Sequence, residues 1–208
     1  MPAQPFPAWR GVSHEKGFAV APAAGLLLIA AADGAAATAA AAIFAVTMTA
    51  MLGASAANHR AAVAPRWVPW LRRADHTAIN LFIAGTCTAV ALVTLSGTAQ
   101  VAVPASVCGV ALAASLVSMV RVGVPGWIPA SVALASGWVG GAALIVLAPS
   151  PSPSAVALLL LGGLMYTVGG VVYVLHRPEL HPTFGHHELF HALVLGGVAC
   201  HYALLLAR

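Results

Sequence analysis

The chain has very little charge. Only 7% of its 208 residues are Asp, Glu, Lys or Arg, whereas 61% are hydrophobic, and soluble domains carry roughly 25% charged residues. A folded chain of this size cannot cover its surface against water with so few charges. This composition excludes a soluble globular domain and predicts that lipid surrounds most of the protein.

Cysteines and clustered basic residues are also scarce. Three cysteines, Cys87, Cys108 and Cys200, lie singly in apolar runs, and this odd, scattered set indicates packing residues rather than a disulfide framework. The net charge of +4 is spread over several short loops, which argues against a nucleic-acid partner. The sequence has no internal repeat and specifies no oligomeric state.

Long apolar runs make up most of the chain. A membrane-spanning helix needs about 20 mostly apolar residues. The first two runs are separated only by Ala-Asp33-Gly34 and are together too long for one crossing, so a helical hairpin is predicted there. We predict an all-α bundle of seven transmembrane helices in residues 17–208, preceded by a cytoplasmic segment, residues 1–16. The predicted spans are Gly17–Ala32, Ala35–Asn58, Asp75–Leu95, Ala99–Val120, Trp127–Leu147, Ser154–Leu175 and His187–Ala207.

The positive charges predict an orientation. With seven spans, one side of the membrane receives the N-terminus and the second, fourth and sixth connections, whereas the other side receives only Arg208. Because cytoplasmic loops are enriched in Lys and Arg, the N-terminus is predicted inside and the C-terminus outside. The charges on the predicted cytoplasmic side are Arg10, Lys16, Arg60, Arg66, Arg72, Arg73, Arg121 and Arg177.

Nine histidines in so apolar a chain require an explanation. Ionisable groups at membrane depth are costly and usually face the protein interior. The predicted topology brings several of them to one depth on the cytoplasmic side. These are His59 at the end of the second span, Asp75 and His76 at the start of the third, and His186, His187 and His191 at the start of the seventh.

Spacing selects among these residues. His187 and His191 are four residues apart, so they share one helix face and can reach the same ion. A zinc site needs a third ligand from another helix, for which His59 lies at the right depth, and Asp75 could hold a water molecule on the metal. The alternatives are that the histidine pair with Glu188 is only a polar helix start and that Asp75 is a helix N-cap.

Five segments give the chain a family resemblance. They are Arg10–His14 (Arg-Gly-Val-Ser-His), Ser55–His59 (Ser-Ala-Ala-Asn-His), Asp75–Thr86, Gly162–Gly170 and Phe184–His191 (Phe-Gly-His-His-Glu-Leu-Phe-His). In order and position they resemble the hemolysin III family of bacterial membrane proteins, relatives of the progestin and adiponectin receptors. The match extends over nearly the whole chain.

The resemblance implies both a fold and a site. The fold is a seven-helix bundle with its N-terminus inside, and the site is a zinc ion held by His59, His187 and His191 near the cytoplasmic face. Asp75 would hold the zinc-bound water, and Ser55 would lie beside it. The chain departs from the usual family pattern at residue 58, where Asn58 replaces a tyrosine.

Three functions are compatible with these residues. The first is a zinc-dependent hydrolase of a membrane lipid, and the resemblance suggests an amidohydrolase because the wider superfamily includes alkaline ceramidases. Asp75 would activate water and Ser55 would stabilise the oxyanion. The second is an intramembrane metalloprotease, in which Glu188 of His-Glu-Leu-Phe-His would be the base. The third is a non-enzymatic protein that senses or perturbs membranes and uses zinc to join helices; Ser55 would then be a packing residue.

Overall fold

The computed structural model describes residues 8–120, 125 and 127–208, and this part of the chain is all-helical, without a β-strand. A short 3₁₀ helix, Pro65–Trp67, precedes the third α-helix. The α-helices are α1 (Val12–Ala31), α2 (Gly34–Arg60), α3 (Val68–Thr94), α4 (Gly97–Val120), α5 (Trp127–Val146), α6 (Pro153–Leu175) and α7 (His186–Leu206). Each predicted span thus overlaps one helix.

Six of these helices, α2 to α7, are long and apolar enough to cross a membrane. The chain is therefore a multi-pass membrane protein. Helix α1 is not in that set, because its first two turns carry His14, Glu15 and Lys16, which offset the apolar residues that follow. A seventh crossing stays a prediction.

The predicted hairpin between the first two runs is confirmed. Helix α1 ends at Ala31 and α2 begins at Gly34, whose φ of 82° suits a residue without a side chain. The two helices pack closely, since a Cβ atom added at Gly25 would lie only 2.7 Å from the Cβ of Ala45. Small residues permit such close backbone approach where lipid provides no hydrophobic drive to pack.

The helices form a ring in the order α1, α2, α3, α5, α6 and α7, which closes where α7 meets α1; α4 lies against α3 and α5. Helix α7 also contacts α2 and α3 across the ring. Phe44 of α2 is fully buried at this crossing, with ring centroids 5.5 Å from Phe82 of α3 and 6.5 Å from Tyr202 of α7. This aromatic packing joins the middle parts of α2 and α3 to the C-terminal part of α7.

Helix α3 begins earlier than its predicted span. It starts at Val68 rather than at Asp75, with Pro69 in its first turn, a position where proline costs no hydrogen bond. The interpretation of Asp75 as a helix N-cap is therefore wrong. Asp75 lies two turns inside the helix, with 6% of its surface exposed, and faces the bundle interior.

Candidate metal centre

Three histidines converge at one end of the bundle. His59 is the penultimate residue of α2, and His187 and His191 lie in the first two turns of α7. Each offers one ring nitrogen, and these three atoms lie within 4.8 Å of one another. The Nε2 atoms of His59 and His187 are 3.2 Å apart. The structure thus brings together the three residues selected as metal ligands.

The start of α7 determines which residues face the centre. The backbone N–H of Gly185 donates a hydrogen bond to Oε2 of Glu188 at 2.8 Å, which is the glutamate half of a capping box, and the helix begins at His186. With that start, His187 and His191 occupy one face, since residues four apart lie one above the other. His186 instead contacts Glu179 in the preceding loop.

Asp75 lies beside the three histidines. Its Oδ2 atom is 3.8 Å from Nε2 of His59 and accepts a hydrogen bond of 2.8 Å from Nδ2 of Asn58. Asn58 had no predicted role and was noted only as a departure from the family pattern. The sequence feature that could have identified Asn58 is its position directly before the candidate ligand His59, at an end of α2 that faces α3. The structure shows that it orients the Asp75 carboxylate.

Ser55 lies one turn before His59 and is 2% exposed. Its hydroxyl shares a hydrogen bond of 2.8 Å with Nδ1 of His14. The His14 ring stacks on His191, with centroids 3.9 Å apart and planes 9° from parallel. The sequence alone does not identify His14 as a site residue. Its signal was its place in the segment Arg10–His14, which carried part of the family resemblance.

Glu188 is buried, and both of its carboxylate oxygens have partners. Besides accepting the Gly185 N–H, its carboxylate pairs with Arg10 through Oε1 and Nη1 at 3.4 Å. The Arg10 side chain reaches α7 from the segment before α1. Both oxygens of Glu188 therefore hold the start of α7 and the N-terminal segment.

The donor set fits a transition-metal ion. Ring nitrogens 3.2 Å apart, as in His59 and His187, must share a proton or a cation, because two lone pairs in a low-dielectric site repel each other. Nδ1 of His191 is buried and lacks a hydrogen-bond partner among the described residues. Three imidazoles with a nearby carboxylate match a zinc site that keeps one position open, and they suit calcium or magnesium poorly.

The chain also matches a known protein family. The family model described as Haemolysin-III related matches residues 5–202. The chain belongs to the haemolysin-III related family. Among the curated relatives of this haemolysin-III related chain is the "Hemolysin-3 homolog" of Bacillus subtilis (strain 168), which is 33% identical over 132 residues. The match covers 64% of this chain and 60% of that relative's length.

The region that matches the family includes the segments that supply the candidate site residues. Residues 5–202 include α1, the end of α2, the start of α3 and the start of α7. The hemolysin III resemblance predicted from sequence is therefore confirmed, together with the multi-pass membrane character. The ligand and catalytic roles of individual residues in this haemolysin-III related protein stay predictions.

Proposed function

We propose that this protein is a zinc-dependent hydrolase that cleaves an amide or ester bond of a membrane lipid. The observation that carries the proposal is the convergence of His59, His187 and His191 beside the buried carboxylate of Asp75. A group of three neutral ligands with an adjacent acid and hydroxyl is the composition of a hydrolytic metal site.

His59, His187 and His191 would hold the metal. Zinc in such a site makes water a nucleophile near neutral pH and polarises a carbonyl group. Asp75 would orient the attacking water and take its proton, since Asn58 holds one carboxylate oxygen on the side facing His59. Ser55 would donate a hydrogen bond to the oxyanion while its oxygen accepts one from Nδ1–H of His14. Because Ser55 is buried, bulk water does not compete for the hydrogen bond of its hydroxyl group.

The location of the site favours a lipid substrate. The histidines lie at the ends of helices that are apolar enough to cross a membrane. A lipid with its acyl chains in the bilayer could present its headgroup-proximal carbonyl at this depth. A water-soluble substrate would have no such reason to meet a site in membrane-spanning helices.

The proposal includes a topology of seven crossings, with residues 1–16 cytoplasmic, residues 17–208 as the membrane domain and the C-terminus outside. Its support is that α1 packs along α2 and reaches α7, as a bundle member does. The predicted inner charges Arg10, Arg60 and Arg72 lie at the site end, while Arg121 lies outside the described residues. The test is to place a single cysteine at one terminus or at the other and to label each variant with a reagent that cannot cross the membrane. Labelling of both termini from the same side would refute this topology.

A metalloprotease is the less favoured alternative. In that mechanism Glu188 would be the general base, but both of its oxygens bind Gly185 and Arg10. The non-enzymatic alternative has one specific observation in its favour, because a metal on these histidines would join α2 to α7. A non-enzymatic protein would bind the metal but release no fatty acid from lipids, whereas a hydrolase would release it.

The deciding experiment measures fatty-acid release. Purified protein with a full complement of zinc would be given a broad panel of lipid amides and esters in vesicles, with Asp75→Asn as the matched inactive control. We expect release from at least one lipid class by the wild type only. Full zinc without any release would exclude the hydrolase and leave the helix-joining role.

A further inference from the structure

The segment Trp9–Lys16, here called the N-terminal strap, lies across the site end of the bundle. Gly11 has a φ of 73°, which a side chain would strain, and a Cβ atom added there would lie 2.5 Å from the Cβ of His59. The strap backbone therefore rests directly on a candidate ligand. A larger residue at position 11 would displace one or the other.

Ion pairs attach the strap to two helices. Arg10 pairs with the buried Glu188 of α7 at 3.4 Å, and Glu15 pairs with Nε of Arg60 in α2 at 3.0 Å. The second pair is solvent-exposed and contributes little to stability by itself. Together, however, the two pairs give the strap one position relative to both helices that carry the histidines.

His14 is the strap residue that enters the site. It is 3% exposed, its ring lies flat on that of His191, and Nδ1 is hydrogen-bonded to Ser55. The hydrogen bond sets the direction of the His14 ring plane, and the ring then covers one face of His191. His191 consequently cannot rotate about its side-chain bonds without losing this contact.

We propose that His14 is a positioning residue of the metal centre, which holds the His191 ring in its ligating orientation by stacking and is itself aimed by Ser55. This inference rests on the proposed metal site. Residues that orient metal ligands typically change metal affinity by about 10- to 100-fold when they are replaced.

Three substitutions separate stacking from hydrogen bonding. His14→Phe keeps a flat ring but loses the bond to Ser55, His14→Asn keeps a polar group near the Nδ1 position but loses the ring, and His14→Ala loses both. The matched control is Tyr202→Phe. It removes a different α1–α7 contact, the 2.9 Å hydrogen bond from Tyr202 to the Ala24 carbonyl, eleven residues beyond His191.

The measurement is zinc affinity by competition with a chelator, together with the visible spectrum of the Co²⁺-substituted full-length protein in detergent. We expect His14→Ala and His14→Asn to bind zinc about 10- to 100-fold more weakly, with an altered Co²⁺ spectrum. His14→Phe should weaken zinc binding less than His14→Ala, because its ring can still stack on His191 without the hydrogen bond that aims it, and Tyr202→Phe should bind like the wild type. A general loss of packing would instead affect Tyr202→Phe as much as His14→Asn.

The outcomes separate this inference from the proposed function. Wild-type zinc affinity in His14→Ala and His14→Asn would overturn the inference and leave the metal site intact, and so would His14→Phe weakening as much as His14→Ala. If His14→Ala does not fold, the Asn and Phe variants still decide. A wild type that binds no zinc overturns both proposals, whereas zinc binding without lipid cleavage overturns only the hydrolase.

Discussion

Two buried histidines of α7, ten residues apart, have different surroundings. His191 meets His59, His187 and His14, which come from three helices. His201 meets the Tyr166 ring at 5.5 Å and the Leu159 carbonyl at 3.4 Å, both on α6. Both side chains are almost fully buried, so burial does not distinguish them.

The difference lies in what the neighbouring helices present. Against His201, α6 provides Gly162, whose missing side chain leaves room for the imidazole ring. The single histidine there has one backbone carbonyl as the partner of Nε2, and its buried Nδ1 has no partner among the described residues. At the site end, α1, α2 and α7 each contribute an imidazole. A histidine in a membrane helix therefore becomes a candidate metal ligand where several helices converge, because one helix face offers too few donors.

The largest expected effect is the loss of metal on His187→Ala. Removal of one of three ligands should reduce bound zinc from about one ion per chain to a small fraction of that, because two imidazoles do not complete a zinc site. Metal analysis of the purified protein gives the measurement. His201→Ala is the matched control on the same helix and should keep its zinc. Equal metal contents in the two variants would contradict the assigned site.

A smaller effect is expected at Asp75. Asp75→Asn keeps the shape and can still accept the hydrogen bond from Asn58, but it cannot take a proton from water. Lipid cleavage should fall by about 100-fold or more while zinc content stays unchanged. Ser115→Ala, which changes a buried hydroxyl 3.5 Å from Asn80 of α3, should leave cleavage unchanged. Undiminished cleavage by Asp75→Asn would remove Asp75 from the mechanism.

The smallest effect is expected at Glu188. Glu188→Gln can still accept the Gly185 N–H but loses the ion pair with Arg10, which should lower the free energy of unfolding by ~1–2 kcal/mol. Zinc content and lipid cleavage should stay near wild type, as thermal unfolding and fatty-acid release would check. A loss of activity as large as that of Asp75→Asn would instead favour the metalloprotease.

Much of the fold follows from local sequence. The apolar runs predict the helices to within a few residues, and Asp33-Gly34 predicts the first hairpin, because hydrocarbon thickness and backbone hydrogen bonding leave few alternatives. The predicted start of the third span, Asp75, lies seven residues after the observed start of α3 at Val68. The arginine-rich stretch before Asp75 is too polar to be recognised as a span, yet it continues the same helix.

The sequence by itself determined the membrane character, the all-helical fold and the pairing of His187 with His191, since hydropathy and the helical repeat are local properties. With topology and family resemblance it also singled out His59, Asp75 and Ser55. Only the tertiary structure decided that His14 stacks on His191, that Asn58 holds Asp75 and that Glu188 binds Arg10. Each of these contacts joins different helices or a helix to the strap, and helix rotation and depth, which bring such residues together, depend on packing rather than on spacing along the chain.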